Sequence, residues 1–363
     1  MKSRCNRLLS TLLTVIFAGL LAVTVCAQRA TPMAPQSAGP LTVTDLMMMM
    51  RRQVGRDMTQ ADLATRIDRV GLDFYPTPEI ITRLRSQGAY PHLLNSVRRA
   101  GEKFNASAIA PATISNSSVT VADPVIEEVR RNVRDYIENM PDFICHQEIT
   151  RYLDREGTGG WTKMDLLTYE VTYNGKHESY KPLRINGFET KIGLERVGGA
   201  TSTGDFASRL AELFKAESSA KFKPAGKDRL GSRQTLVYDF SVSQPNSKLT
   251  IKFGELPAVV AGYSGSVWID AETKQVLRIE LAVEDLPASY AGIQAENIID
   301  YDLVKLQGIE EKLLLPTRAE VVLSDRKLRQ YSRNVNYFKL YRKFETDIKV
   351  VDEPAPDKPE KPQ

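Results

Sequence analysis

The feature that most constrains this chain is a strict alternation of apolar and polar residues, repeated from Leu167 onward. Leu167, Tyr169, Val171 and Tyr173 are separated by Thr168, Glu170 and Thr172. The same period links Leu236, Tyr238, Phe240 and Val242, then Leu249, Ile251 and Phe253, then Leu277, Ile279, Leu281 and Val283. A period of two places residues i and i+2 on one face of a strand, so each segment reads as a strand with one apolar face. Further strands are expected over 299–303, 319–323 and 329–341. Asn174-Gly175, Gln244 to Ser247 and Asp270 to Gln275 supply turn chemistry between them. A one-residue slip would expose the whole apolar set, so register is well specified. Leu277, Ile279 and Leu281 should therefore face a core, with Arg278 and Glu280 in solvent.

A run of antiparallel strands must cover its apolar face with helices, a second sheet or a ligand. Two covering helices are legible. One begins at Asp123-Pro124 and carries Val125, Val129, Val133, Tyr136, Ile137 and Met140 on one stripe, with Pro141 ending it. The other starts near Thr203 and carries Phe206, Leu210, Leu213 and Phe214. Upstream lie three or four short helices between Thr42 and Ala100. Thr59 to Asp62 reads as a capping box, and Thr77-Pro78-Glu79 as a cap with proline at the first helical position. Gly71, Gly88 and Gly101 are placed as helix stops. The Met47 to Met50 run reads as one helix with some of those side chains in the core, since Met fills gaps readily. The expected fold class is α+β: a curved, half-barrel-like antiparallel sheet with covering helices, plus a small N-terminal all-α module. The expected division is a signal peptide at 1–27, a disordered tether at 28–40, the helical module at 41–102 and a linker at 103–122. The β domain follows at 123–350, then a disordered Pro-rich tail at 351–363.

The leader rests on Lys2, Arg4 and Arg7, an apolar run from Leu8 to about Val25, and Val25-Cys26-Ala27 as a small-x-small cleavage site. Retention as an anchor, or lipid attached to Cys26, are the alternatives. No later apolar stretch approaches spanning length, so the expected location is periplasmic or secreted. The net charge is +4, of which the leader carries three, and this balance excludes a nucleic-acid footprint. Cys145 is the one thiol beyond the leader, so an internal disulfide is excluded and the fold must rest on its core.

No motif reads as an active site, and neither enzyme activity nor a cofactor or metal is expected. His92, His146 and His177 are scattered without metal-ligand spacing. Cys145 and His146 are strand neighbours that point to opposite faces, so Cys145 reads as a buried core residue. Gly262-Tyr263-Ser264-Gly265 lacks the spacing of a nucleophile elbow. Glu284-Asp285 and Glu310-Glu311 flank strand ends and read as solvated. A hydrolase using paired carboxylates is a distant third reading.

Tyr263 to Asp270 (Tyr-Ser-Gly-Ser-Val-Trp-Ile-Asp) and Thr273 to Glu280 (Thr-Lys-Gln-Val-Leu-Arg-Ile-Glu) form a hairpin with a distinctive pattern. It resembles the central hairpin of the periplasmic lipoprotein-sorting, LolA-like half-barrel superfamily. Leu313 to Arg318 (Leu-Leu-Leu-Pro-Thr-Arg) resembles that family's next strand entry, and Tyr337 to Phe344 its closing strand. Gly71-Leu-Asp-Phe74 followed by Thr77-Pro-Glu79 resembles a small helical module at the front of varied bacterial exported and signalling proteins. The family resemblance implies a curved sheet with helices over its concave face and an apolar cavity for acyl chains. The front module and the long insertion between Asn174 and Thr201 depart from it. Two functions follow. The first is a non-enzymatic exported protein that holds a lipid or other apolar ligand, lined by Leu236, Tyr238, Phe240, Leu249, Ile251, Phe253, Leu277, Ile279 and Leu281. The second is a structural or interaction protein of the cell envelope with a filled core, meeting an envelope partner through the helical module.

Overall fold

The computed structural model describes residues 39–52, 58–108, 123–156, 160–193, 208–253 and 256–344. The leader with Cys26, most of the tether, residues 109–122 of the linker, Phe206 and the Pro-rich tail lie outside them.

Four helices come first: α1 (Val43–Arg52), α2 (Gln60–Val70), α3 (Pro78–Ser86) and α4 (Pro91–Ala108). The capping box at α2 forms as expected: the Thr59 hydroxyl accepts from the Asp62 amide, and the Asp62 carboxylate accepts from the Thr59 amide. Thr77 precedes α3 without a side-chain cap, and Pro78 opens that helix. Met47, Met49 and Met50 are buried with Leu46, Leu63, Ile67 and Leu94, while Met48 faces out. Gly71 and Gly88 close α2 and α3 with positive φ. Gly101 does not stop a helix. It lies inside α4, where a Cβ would sit 2.1 Å from the Pro76 ring. The glycine permits close approach of the chain leading into α3, and the helix continues past it.

Among the described residues thirteen strands follow with two more α-helices. In chain order they are α5 (Pro124–Asn139), β1 (Phe143–Asp154), β2 (Thr162–Asn174), β3 (His177–Ile185), β4 (Phe188–Glu189) and α6 (Ser208–Phe214). Then come β5 (Lys221–Leu230), β6 (Arg233–Val242), β7 (Thr250–Ile251), β8 (Val259–Val260), β9 (Gly262–Asp270), β10 (Val276–Glu284), β11 (Ile293–Lys305), β12 (Lys312–Asp325) and β13 (Gln330–Lys343). Eleven of them form one open, curved antiparallel sheet in the order β4-β3-β2-β1-β13-β12-β11-β10-β9-β6-β5. The last long strand thus pairs with the first, and β1 holds β2 on its other side. β7 and β8 form a separate two-stranded ribbon, so the segment Leu249 to Phe253 is not a strand of the main sheet. β5 was not legible as a strand because Pro224 and Gly226 interrupt its pattern; both sit at a register shift on the sheet's edge, where such residues are tolerated. The β2–β3 hairpin turns one residue later than Asn174-Gly175. Gly175 and Lys176 carry the positive φ values, and Asn174 pairs with His177.

The inner face of the sheet is apolar along complete rows. Tyr238, Val267, Ile279, Ile299 and Ala319 are successive cross-strand partners from β6 to β12. Helices α5 and α6 cover these rows with Ile126, Val129, Val133, Leu210, Leu213 and Phe214. Asp123 caps α5 by accepting from the Val125 amide at 2.9 Å, and its second oxygen accepts from the Tyr238 hydroxyl at 3.0 Å. Arg130 Nη1 donates to the Phe214 carbonyl at 2.6 Å and so ties α5 to α6. The Tyr136 hydroxyl reaches the Leu314 carbonyl on β12.

The outer face differs from the expectation of a solvated surface. Helices α3 and α4 lie against β5, β9, β10 and β11, and Glu280 is only 4% exposed. Arg85 of α3 donates to Glu280 at 3.1 Å and stacks 4.4 Å from the Trp268 ring. Arg98 of α4 pairs with Asp239, His92 with Glu296, and Arg99 with Glu284 and Asp68. Asn95 donates to Ser264. Arg278 does not point to open solvent either. It heads a ladder in which Arg278 pairs with Asp300, Asp300 with Arg318, Arg318 with Glu320, and Glu320 with Arg333. Charges withdrawn from water must be paired, and Arg278 and Glu280, which the alternation turned outward, both have partners here.

Ile279→Ala should lower unfolding free energy by about 2–5 kcal/mol, the usual cost of truncating a fully buried aliphatic side chain; urea denaturation of both proteins measures it. Glu280→Ala leaves Arg85 buried without its acid and should cost about 3–5 kcal/mol. Arg99→Ala, whose pairs are half exposed, should cost about 1 kcal/mol or less in the same experiment.

Candidate functional site

Two cavities open on the inner side of the sheet. The first, of about 720 Å³, is floored by Leu281 and Val283 of β10, Ala295 and Asn297 of β11, and Val321 and Leu323 of β12. These six residues share the inner face because they fall on alternate positions of three strands in register: Asn297 pairs with Leu281 and Val321, and Ala295 with Leu323. Leu249 and Ile251 close one side, and Tyr180 of β3 with His177 and Glu178 closes the other. The second, of about 860 Å³, lies between α5 and α6, with Val133, Ile137, Tyr173 and Phe214 as its apolar surface. The two adjoin, since Lys176, Ser208, Glu212 and Lys248 border both.

The nine residues expected to line a ligand site do not stay together. Leu281, Leu249 and Ile251 border the 720 Å³ cavity. Tyr238, Phe240, Leu277 and Ile279 are buried in the core under α5 and α6, with Leu236 half-buried against it. Phe253 packs with Ile251, Leu256 and Val259 around Tyr290, in a small cluster that also holds Val283, Ala295, Val321 and Leu323 of the cavity floor. Val283, Ala295, Val321 and Leu323, which border the same cavity, are not among the nine. Their parity was readable, but the cross-strand register that brings them beside Leu281 was not.

The same face carries a polar stripe that sequence reasoning also missed. Gln147, Asn297, Asn334 and Asn336 are all buried. Gln147 is 1% exposed and Asn336 2%, and the side-chain oxygens of both lack a hydrogen-bond partner. Leaving such a group unpaired costs about 1–3 kcal/mol each. Arg151 and Asp165 face each other on the same side of β1 and β2 in a bidentate pair, at 2.7 and 2.6 Å.

Burial pushes the Cys145 thiol well above its ordinary range, and the nearby Glu178 charge adds to this. His146 alternates to the opposite face of β1, as expected. Tyr238 is pushed up to about 12 by burial, then by its bond to the Asp123 carboxylate. Glu284 is not a solvated end-of-strand acid: it holds Arg99 and accepts from the Ser264 hydroxyl on the outer face. Among the described residues, no three His, Cys, Asp or Glu side chains are placed to hold a metal ion, and no helix is long and apolar enough to cross a membrane.

Comparison with known proteins gives structural likenesses of low identity. The chain is similar to a DUF1329 family protein from Desulfovibrio piger, at 11% identity and TM-score 0.32, covering 63% of this chain and 96% of that one. It is similar to a LolA superfamily protein from Nitrosomonas europaea, at 11% identity and TM-score 0.31, with the same coverage. A third likeness is to a Vibrio parahaemolyticus domain named for outer membrane lipoprotein sorting, at 11% identity and TM-score 0.30, covering 60% and 91%. No family model and no curated protein matches the chain. The motifs singled out in the sequence fall on β9, β10, β12 and β13 of the sheet.

Cys145 should resist maleimide in the native protein, because its thiol is buried and its thiolate disfavoured. Labelling should appear only with the unfolding transition in urea; rapid labelling without denaturant would contradict the burial of Cys145 in the inner core.

Proposed function

We propose that this chain is a non-enzymatic binding protein that holds an apolar or amphiphilic ligand on the inner face of its sheet. The observation that carries this reading is the 720 Å³ cavity, whose floor joins Leu281, Val283, Ala295, Val321 and Leu323 to one amide, Asn297, under a polar rim that includes His177, Glu178, Arg209 and Glu212. Cavities of roughly 300–1,000 Å³ lined mainly by apolar side chains with a few polar groups are the usual form of small-ligand sites. The adjoining space between α5 and α6 gives a long chain room to extend beneath the helices. The basic and apolar leader order adds an exported location, periplasmic or secreted, where a soluble carrier of lipids has a task.

The cavity beside the filled core supports ligand binding over the structural alternative. A partner at the helical module would have to use its outward surface. The sides of α3 and α4 that carry Arg85 and Arg98 are already engaged with the sheet.

Lipid retained by protein purified from cells should be visible in native mass spectrometry and after solvent extraction. Ala295→Phe places a ring in the cavity without touching the core under α5 and α6. It should lower retained lipid tenfold or more and cost about 1–3 kcal/mol by overpacking the cluster around Tyr290, with circular dichroism checking that the fold persists. Unchanged lipid content in a folded variant, or absence of any ligand in the parent protein, would count against this function.

A further inference from the structure

The rim of the space between α5 and α6 is unusually basic. Arg131 and Arg134 come from α5, Lys176 from the β2–β3 turn, Lys215 from the end of α6 and Lys248 from the segment before β7. Among the described residues none of these five forms an ion pair with an acid. Four acids share the rim. Glu127 is held by Arg130 and Glu212 by Arg209, leaving Glu138 and Glu217 as the uncommitted negative charges. The outer face shows the contrast, for there Arg85, Arg98, Arg278, Arg318 and Arg333 all have acids.

Gathering cations from four separate segments costs repulsion, which an anion seated among them relieves. Directly below the rim the surface is apolar, formed by Val133, Ile137, Tyr173 and Phe214. Charge above and hydrocarbon below fit one chemistry. We infer that the ligand is an anionic amphiphile, a long acyl chain carrying a carboxylate or phosphate head. The head sits among Arg134, Lys176, Lys215 and Lys248, and the chain runs between α5 and α6 toward Leu281 and Val321. This rests on the binding function proposed above and adds the charge of the ligand to it.

The test uses the full mature chain and three probes of equal chain length: oleate, methyl oleate and oleylamine, each measured by displacement of a fluorescent acyl probe. Acetate and inorganic phosphate serve as heads without chains. Oleate should bind at least tenfold tighter than methyl oleate, and oleylamine more weakly than either. The oleate advantage should shrink as salt rises, because the rim is exposed to solvent. Lys176→Glu with Lys248→Glu should weaken oleate at least tenfold and leave methyl oleate unchanged; both residues are exposed, so the fold should persist, and circular dichroism checks that it does. Equal binding of all three long-chain probes, or a variant that weakens oleate and methyl oleate alike, would overturn the charge assignment while leaving the binding function standing. Acetate or phosphate binding as tightly as oleate would show an anion site without an acyl chain and overturn it too. Failure of every long-chain probe to bind would remove the binding function itself, and this inference with it.

Discussion

The alternation of β10 is the constraint on which both halves of the molecule depend. Leu277, Ile279 and Leu281 go to one face and join the core under α5 and α6. Arg278 and Glu280 go to the other and meet Asp300 and Arg85. The strand is central enough that neither face is free: one is covered by two helices, the other by α3 and α4. Gly265 on β9 makes this pairing close, since a Cβ there would lie 1.8 Å from the Glu280 carbonyl oxygen. A slip by one residue would put Ile279 among the charges and Glu280 among the aliphatics, so the register is held from both sides.

The two faces are held by different physics. The inner one gains from removing apolar area from water, a non-directional effect that tolerates modest changes of shape. The outer one pairs charges that have been partly taken out of water, where attraction is largely offset by desolvation. Such an interface adds little net stability but penalises any arrangement in which one partner is lost. The ladder of Arg278, Arg318 and Arg333, with Asp300 and Glu320 between, pairs charges across β10 to β13 beside the surface that α4 covers.

The candidate site lies where the inner face runs beyond its helical cover. Under α5 and α6 the rows are filled, and most of the residues first expected to line a ligand are core. Farther along β10, β11 and β12 the same parity leads to Val283, Ala295, Val321 and Leu323, which floor a cavity. Site and core are therefore one surface, divided only by where the helices stop.

The sequence by itself determined the period of each long strand, the helix that begins at Asp123, the capping box at Thr59, the Asp270 to Gln275 turn and the buried state of Cys145. Each of these depends on residues a few positions apart, so local patterning suffices. What covers the outer face was decided only by the tertiary structure. Arg278 and Glu280 look solvated in any local reading, because their partners lie in other elements, in Arg85's case 195 positions away. Gly101 looked like a helix stop until Pro76 was seen against it. The cavity and its basic rim were equally hidden. Parity says which side of a strand a residue takes, whereas only the order in which strands pair says which residues stand together there.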